Sequence, residues 1–265
     1  MPDVSVPSLP AAADDLLAPL LAGPPRRGEV VVATPLAAYA RLEDGSVVGV
    51  LDARAVRVPG SVVVAARARL DVVLGDEVGA GGGSLRVGAV DLVPARWWDS
   101  RVPALRTPPA PTVAASLPDD VPAVAEDLEG ALGTGIGLAA VVDALVGLGP
   151  GLTPAGDDVL GGALVALAAT GDTERRRRLA AEVRRVRHRT TAVSAALLDH
   201  AAAGHAIPEL ARYIVALARG RCGTRVVQDL ERVGSSSGAA LAAGARIGLR
   251  AAGRVRDQGK AAEVA

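Results

Sequence analysis

Short Val-rich runs separated by turn residues dominate the N-terminal part of the chain. Four runs are strand candidates: Glu29–Ala33, Ser46–Leu51, Ser61–Ala65 and Leu85–Val90. Runs of this length between Gly, Asp and Pro are typical of short β-strands. Asp44-Gly45 predicts a hairpin turn, and the three consecutive glycines at 81–83 predict a loop. This pattern predicts a small antiparallel β-barrel or sandwich at residues 29–100, after an N-terminal segment at residues 1–28.

The pattern changes to helical spacing in the C-terminal half. Ala-rich segments with an apolar face lie at Val121–Leu132, Leu138–Val146, Asp157–Ala169, Thr173–His188, Ala192–Ala203, Ile207–Ala218, Thr224–Val233 and Ala239–Ala252. They predict an α-helical domain at residues 122–265. Prolines crowd the preceding stretch, which excludes a helix there and predicts a Pro-rich linker at residues 101–121. The predicted fold class is α+β, with an all-β domain followed by an α-helical domain.

Two of the helical segments are rich in small residues. Val159–Ala169 and Ala239–Gly248 consist largely of Ala and Gly. Small side chains let neighbouring helices approach closely, so we expect both segments in the middle of the helical domain.

Composition narrows the classes of partner. Lys and Arg together number 29, as do Asp and Glu, so the chain lacks the positive charge of a dedicated nucleic-acid binder. Phe is absent, and the two Tyr and two Trp supply few platforms for base stacking. No uninterrupted apolar run approaches the ~20 residues of a membrane span. We therefore expect a small-molecule ligand, with neither nucleic acid nor membrane as partner.

The N-terminus and the cysteine content bear on the cellular compartment. Asp3, Asp14 and Asp15 precede any basic residue, whereas a secretory signal begins with positive charge. Cys222 is the single cysteine, which excludes an intramolecular disulfide. The N-terminus therefore predicts a cytoplasmic protein.

The segment with the most evident chemistry is Gly147-Leu-Gly-Pro-Gly-Leu-Thr-Pro-Ala-Gly-Asp-Asp158, between two apolar helices. Gly149, Gly151 and Gly156 permit close approach of a ligand to the backbone, and Thr153 adds a hydroxyl. The backbone amides at residues 156–159 are expected to face outward at a helix N-terminus, where anions bind. The segment predicts a binding site for phosphate or carboxylate.

Asp157 and Asp158 close this segment, and we interpret them as catalytic residues. Such carboxylates can cap the helix, hold a divalent cation or accept hydrogen bonds from a substrate amide. The Lys-Ser/Thr ending of a P-loop is absent, and no strand leads into the segment as a dinucleotide fingerprint requires. The alternative is a plain connector with a good helix cap. We predict no cofactor, except for a divalent cation that Asp157 and Asp158 can bind.

A second candidate segment contains Arg189, Thr190, Thr191 and Ser194. The three hydroxyls lie within about one helical turn, and the planar guanidinium can hold a carboxylate through two parallel bonds. The alternative for this segment is a helix N-cap.

A third candidate, Gly234-Ser-Ser-Ser-Gly238, repeats features of the first. Glycines bound a group of hydroxyls that includes Ser236 and Ser237, and a helix rich in small residues follows. Gly238 and Gly244 have the same spacing as Gly156 and Gly162. We expect the two glycine-bounded loops to face one pocket.

The long segment that ends at Asp158 resembles the signature of the AllH-like family, the AllH subunit of oxamate carbamoyltransferase, also classed as a domain of unknown function. The likeness extends to Arg189–Ala195 and Gly234–Gly238, and a β-domain that ends in Trp before a Pro-rich stretch also fits. It is strong only from Gly147 onward. Family members often have a His and an Asp near the third loop, where this chain has Ser235 and Ala240.

The resemblance implies one subunit of an oxamate carbamoyltransferase. In that reaction oxalurate and phosphate give oxamate and carbamoyl phosphate during allantoin and purine breakdown. The implied partners are a small anionic substrate and acyl-CoA-synthetase-like subunits in a hetero-oligomer. The absence of His and Asp in the third loop favours the alternative, a non-catalytic subunit that binds a small carboxylate or acts as a scaffold.

Overall fold

The computed structural model describes residues 7–64, 71–105 and 124–263. The chain divides after Ser100 into two units, Met1–Ser100 and Arg101–Ala265. Of the predicted Pro-rich linker, residues 106–121 lie outside the described residues.

The first unit is a closed β-barrel. Its strands are β1 (Ser8–Asp14), β2 (Arg26–Ala33), β3 (Ala37–Leu42), β4 (Val47–Asp52), β5 (Ser61–Val64), β6 (Glu77–Gly81), β7 (Ser84–Val87) and β8 (Val90–Trp98). Their order around the barrel is β1-β5-β4-β3-β2-β6-β7-β8. A short helix, α1 (Ala18–Ala22), follows β1 and packs against β6. Val, Ala and Leu side chains fill the interior because the chain offers no Phe.

The two predicted turns join neighbouring strands of the barrel. Gly45, with φ of 83°, lies in the hairpin between β3 and β4, and Gly82 lies in the hairpin between β6 and β7. Left-handed backbone at these points is the reason that glycine occupies them. Both turn predictions are confirmed.

The barrel differs from the sequence expectation in two respects. The strands are not all antiparallel, because β1 pairs with β8 in parallel and β4 pairs with β5 in parallel. The barrel also begins at Ser8, inside the stretch expected to be a separate N-terminal segment. β1 has the sequence Ser-Leu-Pro-Ala-Ala-Ala-Asp, which has little intrinsic strand preference, so its two neighbours determine its conformation.

The buried carboxylate of Asp14 holds the end of β1. It accepts hydrogen bonds from the backbone N–H of Gly60 at 2.8 Å and of Leu16 at 3.3 Å. One acid thus joins β1 to the segment before β5, and its burial is compensated by two backbone donors.

The second unit is helical over its described residues. Its α-helices are α2 (Val124–Thr134), α3 (Leu138–Leu145), α4 (Ala155–Thr170), α5 (Thr173–Val186), α6 (Ala192–Ala202), α7 (Pro208–Ala218), α8 (Thr224–Glu231) and α9 (Ser237–Glu263). These helices confirm the predicted α-helical region. Within the described ranges, no helix has the length and apolar character needed to cross a membrane.

α4 and α9 form the centre of this unit. A Cβ on Gly162 would lie 2.2 Å from the Leu241 carbonyl oxygen, and a Cβ on Gly244 would lie 1.9 Å from the Val159 carbonyl oxygen. The two backbones therefore touch, as the small-residue segments predicted. Successive contacts advance in the same direction along both helices, from Gly162 with Leu241 to Ala163 with Gly248, so the helices run parallel.

We expect Gly244→Ala to destabilise the helical unit by about 3 kcal/mol, because the added methyl group meets backbone and not a flexible side chain. The matched control is Gly130→Ala in α2, where a Cβ meets no atom within 4 Å. This control should stabilise by about 0.5–1 kcal/mol through helix propensity. Urea unfolding of the full chain, followed by circular dichroism, measures both, and equal effects would contradict the close helix contact.

Candidate functional site

Three loops meet where α4 begins. We call them the Gly147 loop (residues 146–154, between α3 and α4), the Arg189 loop (residues 187–191, between α5 and α6) and the Gly234 loop (residues 232–236, between α8 and α9). Each contains one of the segments that the sequence singled out. Hydrogen bonds among their side chains and the first turns of the following helices hold them together.

Asp157 joins the first two loops. It is only 2 % exposed, and its Oδ1 accepts a hydrogen bond from the Gly147 N–H at 2.9 Å. Its Oδ2 accepts from the Ser194 hydroxyl at 2.6 Å and from the Thr190 hydroxyl. Both carboxylate oxygens are therefore occupied by protein donors. Asp157 acts as a connection between chain segments and does not cap α4, whose N-cap residue is Pro154.

Thr191 makes a second connection between the same loops. Its hydroxyl donates to the Leu152 carbonyl at 2.7 Å and accepts from the Ser194 N–H at 3.0 Å. Thr191 is thus the N-cap of α6, as the alternative interpretation of this segment proposed. Its hydroxyl is fully used by the protein.

Thr153 connects the Gly147 loop to the beginning of α9. Its hydroxyl lies 3.1 Å from the Ser237 hydroxyl, and both residues are half-buried. This contact brings the Gly147 loop beside the start of α9, and the expectation that the two glycine-bounded loops face one pocket stays a prediction.

Asp158 differs sharply from its neighbour Asp157. It is 9 % exposed, and among the described residues its Oδ2 is buried without a hydrogen-bond partner. Burial raises the pKa of this carboxyl to about 7, and the charge of Asp157 adds to the rise. The hydroxyls of Ser237 and Thr153 act in the opposite direction by hydrogen bonding to it, which shows that the carboxyl faces them. A carboxyl with this pKa can give or take a proton near neutral pH.

The backbone amides of the α4 N-terminus do not form the expected anion site. The N–H of Gly156 donates to the Leu148 carbonyl at 2.9 Å, and those of Asp157 and Asp158 donate to the Pro154 carbonyl at 3.0 and 3.1 Å. Gly156 has a packing role instead, since a Cβ there would lie 2.0 Å from the Leu145 carbonyl oxygen. Carbonyl groups of the loop between α3 and α4 thus accept the hydrogen bonds of these N–H groups, which leaves none of the three for an anion.

Gly149 and Gly151 remain as backbone groups that a ligand can approach. Both are exposed and have positive φ, 111° and 97°. No hydrogen bond from either N–H is found among the described residues. The donors available to an anion therefore lie in the loop itself, ahead of the helix.

Two other predicted residues make their contacts away from this cluster. The Arg189 guanidinium is about half exposed and lies 3.8 Å from Asp143, which also pairs with Arg185. Ser236 is half-buried, and its carbonyl accepts the Ala240 N–H within the first turn of α9.

Sequence reasoning missed the part played by Gly147. Its N–H is a donor to Asp157, and a Cβ there would lie 2.6 Å from the Arg189 carbonyl oxygen. Its φ of 77° and this close approach both require glycine. The signal in the sequence was the alternation of Gly147, Gly149 and Gly151, because a simple turn does not require three glycines.

Comparison with known proteins identifies a family for this part of the chain. Residues 145–249 match the family model described as oxamate carbamoyltransferase subunit AllH. The matched range is less than half of the chain and includes all three loops, so the resemblance seen in the sequence is confirmed there. Searches of curated proteins and of solved structures found no match.

Asp157→Asn should destabilise the helical unit by about 2 kcal/mol, because an amide in place of the carboxylate sets donor against donor. Asp229→Asn is the matched control. Asp229 on α8 makes an exposed ion pair with Arg232, the residue that follows this helix, and loss of the pair should cost less than about 0.5 kcal/mol. Urea unfolding checks both. Similar values for the two variants would refute the connecting role of Asp157.

Asp158→Asn should stabilise the helical unit, in contrast to Asp157→Asn, and it should do so only at higher pH. The folded-state pKa of about 7 lies above that of an unfolded Asp, so the folded protein holds a proton that the unfolded chain has released. Stability of the parent therefore falls as pH rises from about 4 to 7. The variant lacks this penalty, and its advantage should grow to the order of 4 kcal/mol at pH 8 and vanish near pH 4. A pH-independent difference would contradict the raised pKa.

Proposed function

We propose that this chain is a subunit of an oxamate carbamoyltransferase-like enzyme, on the premise that residues 145–249 match the AllH subunit family. The reaction converts oxalurate and phosphate into oxamate and carbamoyl phosphate in allantoin and purine breakdown. The single observation that carries the proposal is the convergence of the three loops, all inside the matched range, around the Asp157–Asp158 pair.

The helix arrangement supports binding of a small anionic substrate. α4 and α9 run parallel, and Thr153 and Ser237 meet at their N-terminal ends. The hydroxyls of both residues can donate hydrogen bonds to a negatively charged group there. Gly149 and Gly151 contribute exposed backbone next to these helix ends.

The reaction needs stabilisation of charge and one proton transfer. An oxygen of HPO₄²⁻ attacks the carbamoyl carbon of oxalurate, and the bond from that carbon to the oxamate nitrogen breaks. The proton of the phosphate ends on the leaving nitrogen, so charge and atoms balance. Hydroxyl groups and the exposed backbone of Gly149 and Gly151 can stabilise the developing oxyanion, and no Ser-His or Cys-His pair is required.

The two aspartates take different roles in this proposal. Asp157 is a positioning residue, because its oxygens hold Gly147, Thr190 and Ser194. Asp158 is the catalytic residue, since its buried carboxyl has a free oxygen and a pKa of about 7 that suits it to carry the proton to the leaving nitrogen. The hydroxyls of Thr190 and Thr191, which were expected to bind substrate, hold Asp157 and Leu152 instead. Arg189 and Ser236 have their observed contacts elsewhere, and we propose that the half-exposed Arg189 turns from Asp143 to the substrate carboxylate and that Ser236 assists Ser237.

Partners and location are part of the same proposal. The family is described as a subunit, which supports a complex, and we propose acyl-CoA-synthetase-like subunits as the other members, in the cytoplasm. The proposal also includes a divalent cation at the Asp157–Asp158 pair. It would meet one unpartnered oxygen, on Asp158, because the Asp157 oxygens are engaged by protein donors among the described residues.

The alternative is a non-catalytic subunit that binds a small carboxylate or shapes the active site of its partner. The observation in its favour concerns two positions at the third loop and the start of α9, 235 and 240, where Ser and Ala stand in place of the His and Asp expected from the family resemblance. Ser235 is exposed, and Ala240 is fully buried, so neither position supplies an acid or a base.

The test is to co-express the chain with acyl-CoA-synthetase-like proteins from the same organism and to measure carbamoyl phosphate formed from oxalurate and phosphate. We expect activity from the complex and a loss of about 100-fold or more in Asp158→Asn. Ser235→Ala, an exposed hydroxyl in the Gly234 loop, is the matched control and should keep parental activity. Full activity in the Asp158→Asn complex would favour the non-catalytic alternative, and inactivity of the parent complex would refute the proposed reaction.

A further inference from the structure

The cluster of Asp158, Thr153 and Ser237 has hydrogen-bonding capacity that the protein does not use. Oδ2 of Asp158 is buried and has no partner among the described residues, although more than nine-tenths of the residue is shielded from solvent. An unpartnered buried acceptor is costly, and native structures rarely keep one without a purpose. A ligand group that donates to this oxygen would remove the cost.

The protonation state of Asp158 limits which group fits. Burial and the neighbouring charge of Asp157 both favour the neutral carboxyl. A neutral carboxyl offers an O–H donor and a carbonyl acceptor side by side, whereas a carboxylate offers acceptors alone. A primary amide offers an N–H donor and a carbonyl acceptor in the same plane and pairs with a neutral carboxyl through two hydrogen bonds. A second carboxylate lacks the donor.

We infer that Asp158, Thr153 and Ser237 form a subsite for the planar amide end of a carbamoyl-bearing substrate, and that this subsite rejects a carboxylate in the same place. The inference rests on the proposed function for the substrate class and assigns to this cluster the recognition of a planar amide group, which oxamate also carries. The two hydroxyls can donate or accept, so they complete the amide's remaining hydrogen bonds.

The donor set fits an amide better than a divalent cation. Hard cations such as Mg²⁺ and Ca²⁺ take six or more oxygen ligands, commonly from several carboxylates. Here one carboxyl and two hydroxyls face each other, and the second carboxylate is engaged by Gly147, Thr190 and Ser194.

Access to the subsite depends on the contact between Thr153 and Ser237. These hydroxyls lie 3.1 Å apart and link the Gly147 loop to α9 beside the buried oxygen. An entering amide replaces this hydroxyl pair by bonds to itself. Loss of the Ser237 hydroxyl therefore removes a ligand contact and also the contact that closes the loop.

The test compares two probes, oxamate and oxalate, which differ only by an amide in place of a carboxylate. Isothermal titration calorimetry of the full chain at pH 6 measures both. We expect oxamate to bind about tenfold tighter or more, since the rejected probe leaves a buried group unpaired. Asp158→Asn should keep this preference because its amide also offers a donor beside an acceptor, and Asp158→Leu should abolish it.

Ser237→Ala and Ser235→Ala form the matched pair for the hydroxyl, and they keep the test valid if the Leu variant does not fold. The first should weaken oxamate binding about fivefold or more, and the second should leave it unchanged. Equal affinity of the parent for both probes would mean that a buried water completes Asp158, and it would overturn the inference. Loss of oxamate binding in Asp158→Asn, or Mg²⁺-dependent binding in the parent, would also overturn it by assigning Asp158 an ionised role.

The binding test and the activity test fail independently. Asp158-dependent preference for oxamate without carbamoyl phosphate formation would refute the proposed reaction and keep the amide subsite. Carbamoyl phosphate formation, combined with a probe preference that does not depend on Asp158, would support the proposed reaction and refute the amide subsite.

Discussion

The candidate site depends on the backbone contact between α4 and α9. Gly162 and Gly244 leave no room for a Cβ, so the two helices approach until each touches the other's backbone carbonyl. Because the helices run parallel, their N-terminal ends lie side by side. That placement brings the Gly147 and Gly234 loops together, and with them Thr153 and Ser237.

An internal correspondence underlies this arrangement. Gly156 packs on the Leu145 carbonyl at the end of α3, where a Cβ would lie 2.0 Å from the oxygen, and Gly238 packs on the Leu230 carbonyl near the end of α8, where a Cβ would lie 1.9 Å away. In both cases a helix turns back through a glycine loop into a small-residue helix. The equal spacing from Gly156 to Gly162 and from Gly238 to Gly244 in the sequence therefore reflects two similar sets of glycine contacts, and only the first segment carries an Asp pair.

Asp157 and Asp158 illustrate how adjacent residues on one helix acquire different properties. Successive helical positions point about 100° apart, so the two carboxylates meet different surroundings. Asp157 points to donors from the Gly147 and Arg189 loops and stabilises their arrangement. Asp158 points to the hydroxyls beside α9 and has an unsatisfied oxygen, which costs stability. An unfavourable group kept in a well-packed region is typical of a site shaped for a ligand and not for stability alone.

The sequence by itself determined the change from strands to helices, the turns at Gly45 and Gly82, and the three segments of the site, because local periodicity and glycine spacing encode these features. It did not determine β1, β3 or β6, whose Ala and Gly content has little strand preference. For β1 both pairing partners, β5 and β8, are also distant in the chain. Only the tertiary structure decided that the α4 amides are consumed by Leu148 and Pro154 and that Asp157 connects loops while Asp158 is free to meet a ligand. Burial and hydrogen-bond partners arise from segments brought together by packing, and nothing in the identity of two neighbouring aspartates distinguishes them beforehand.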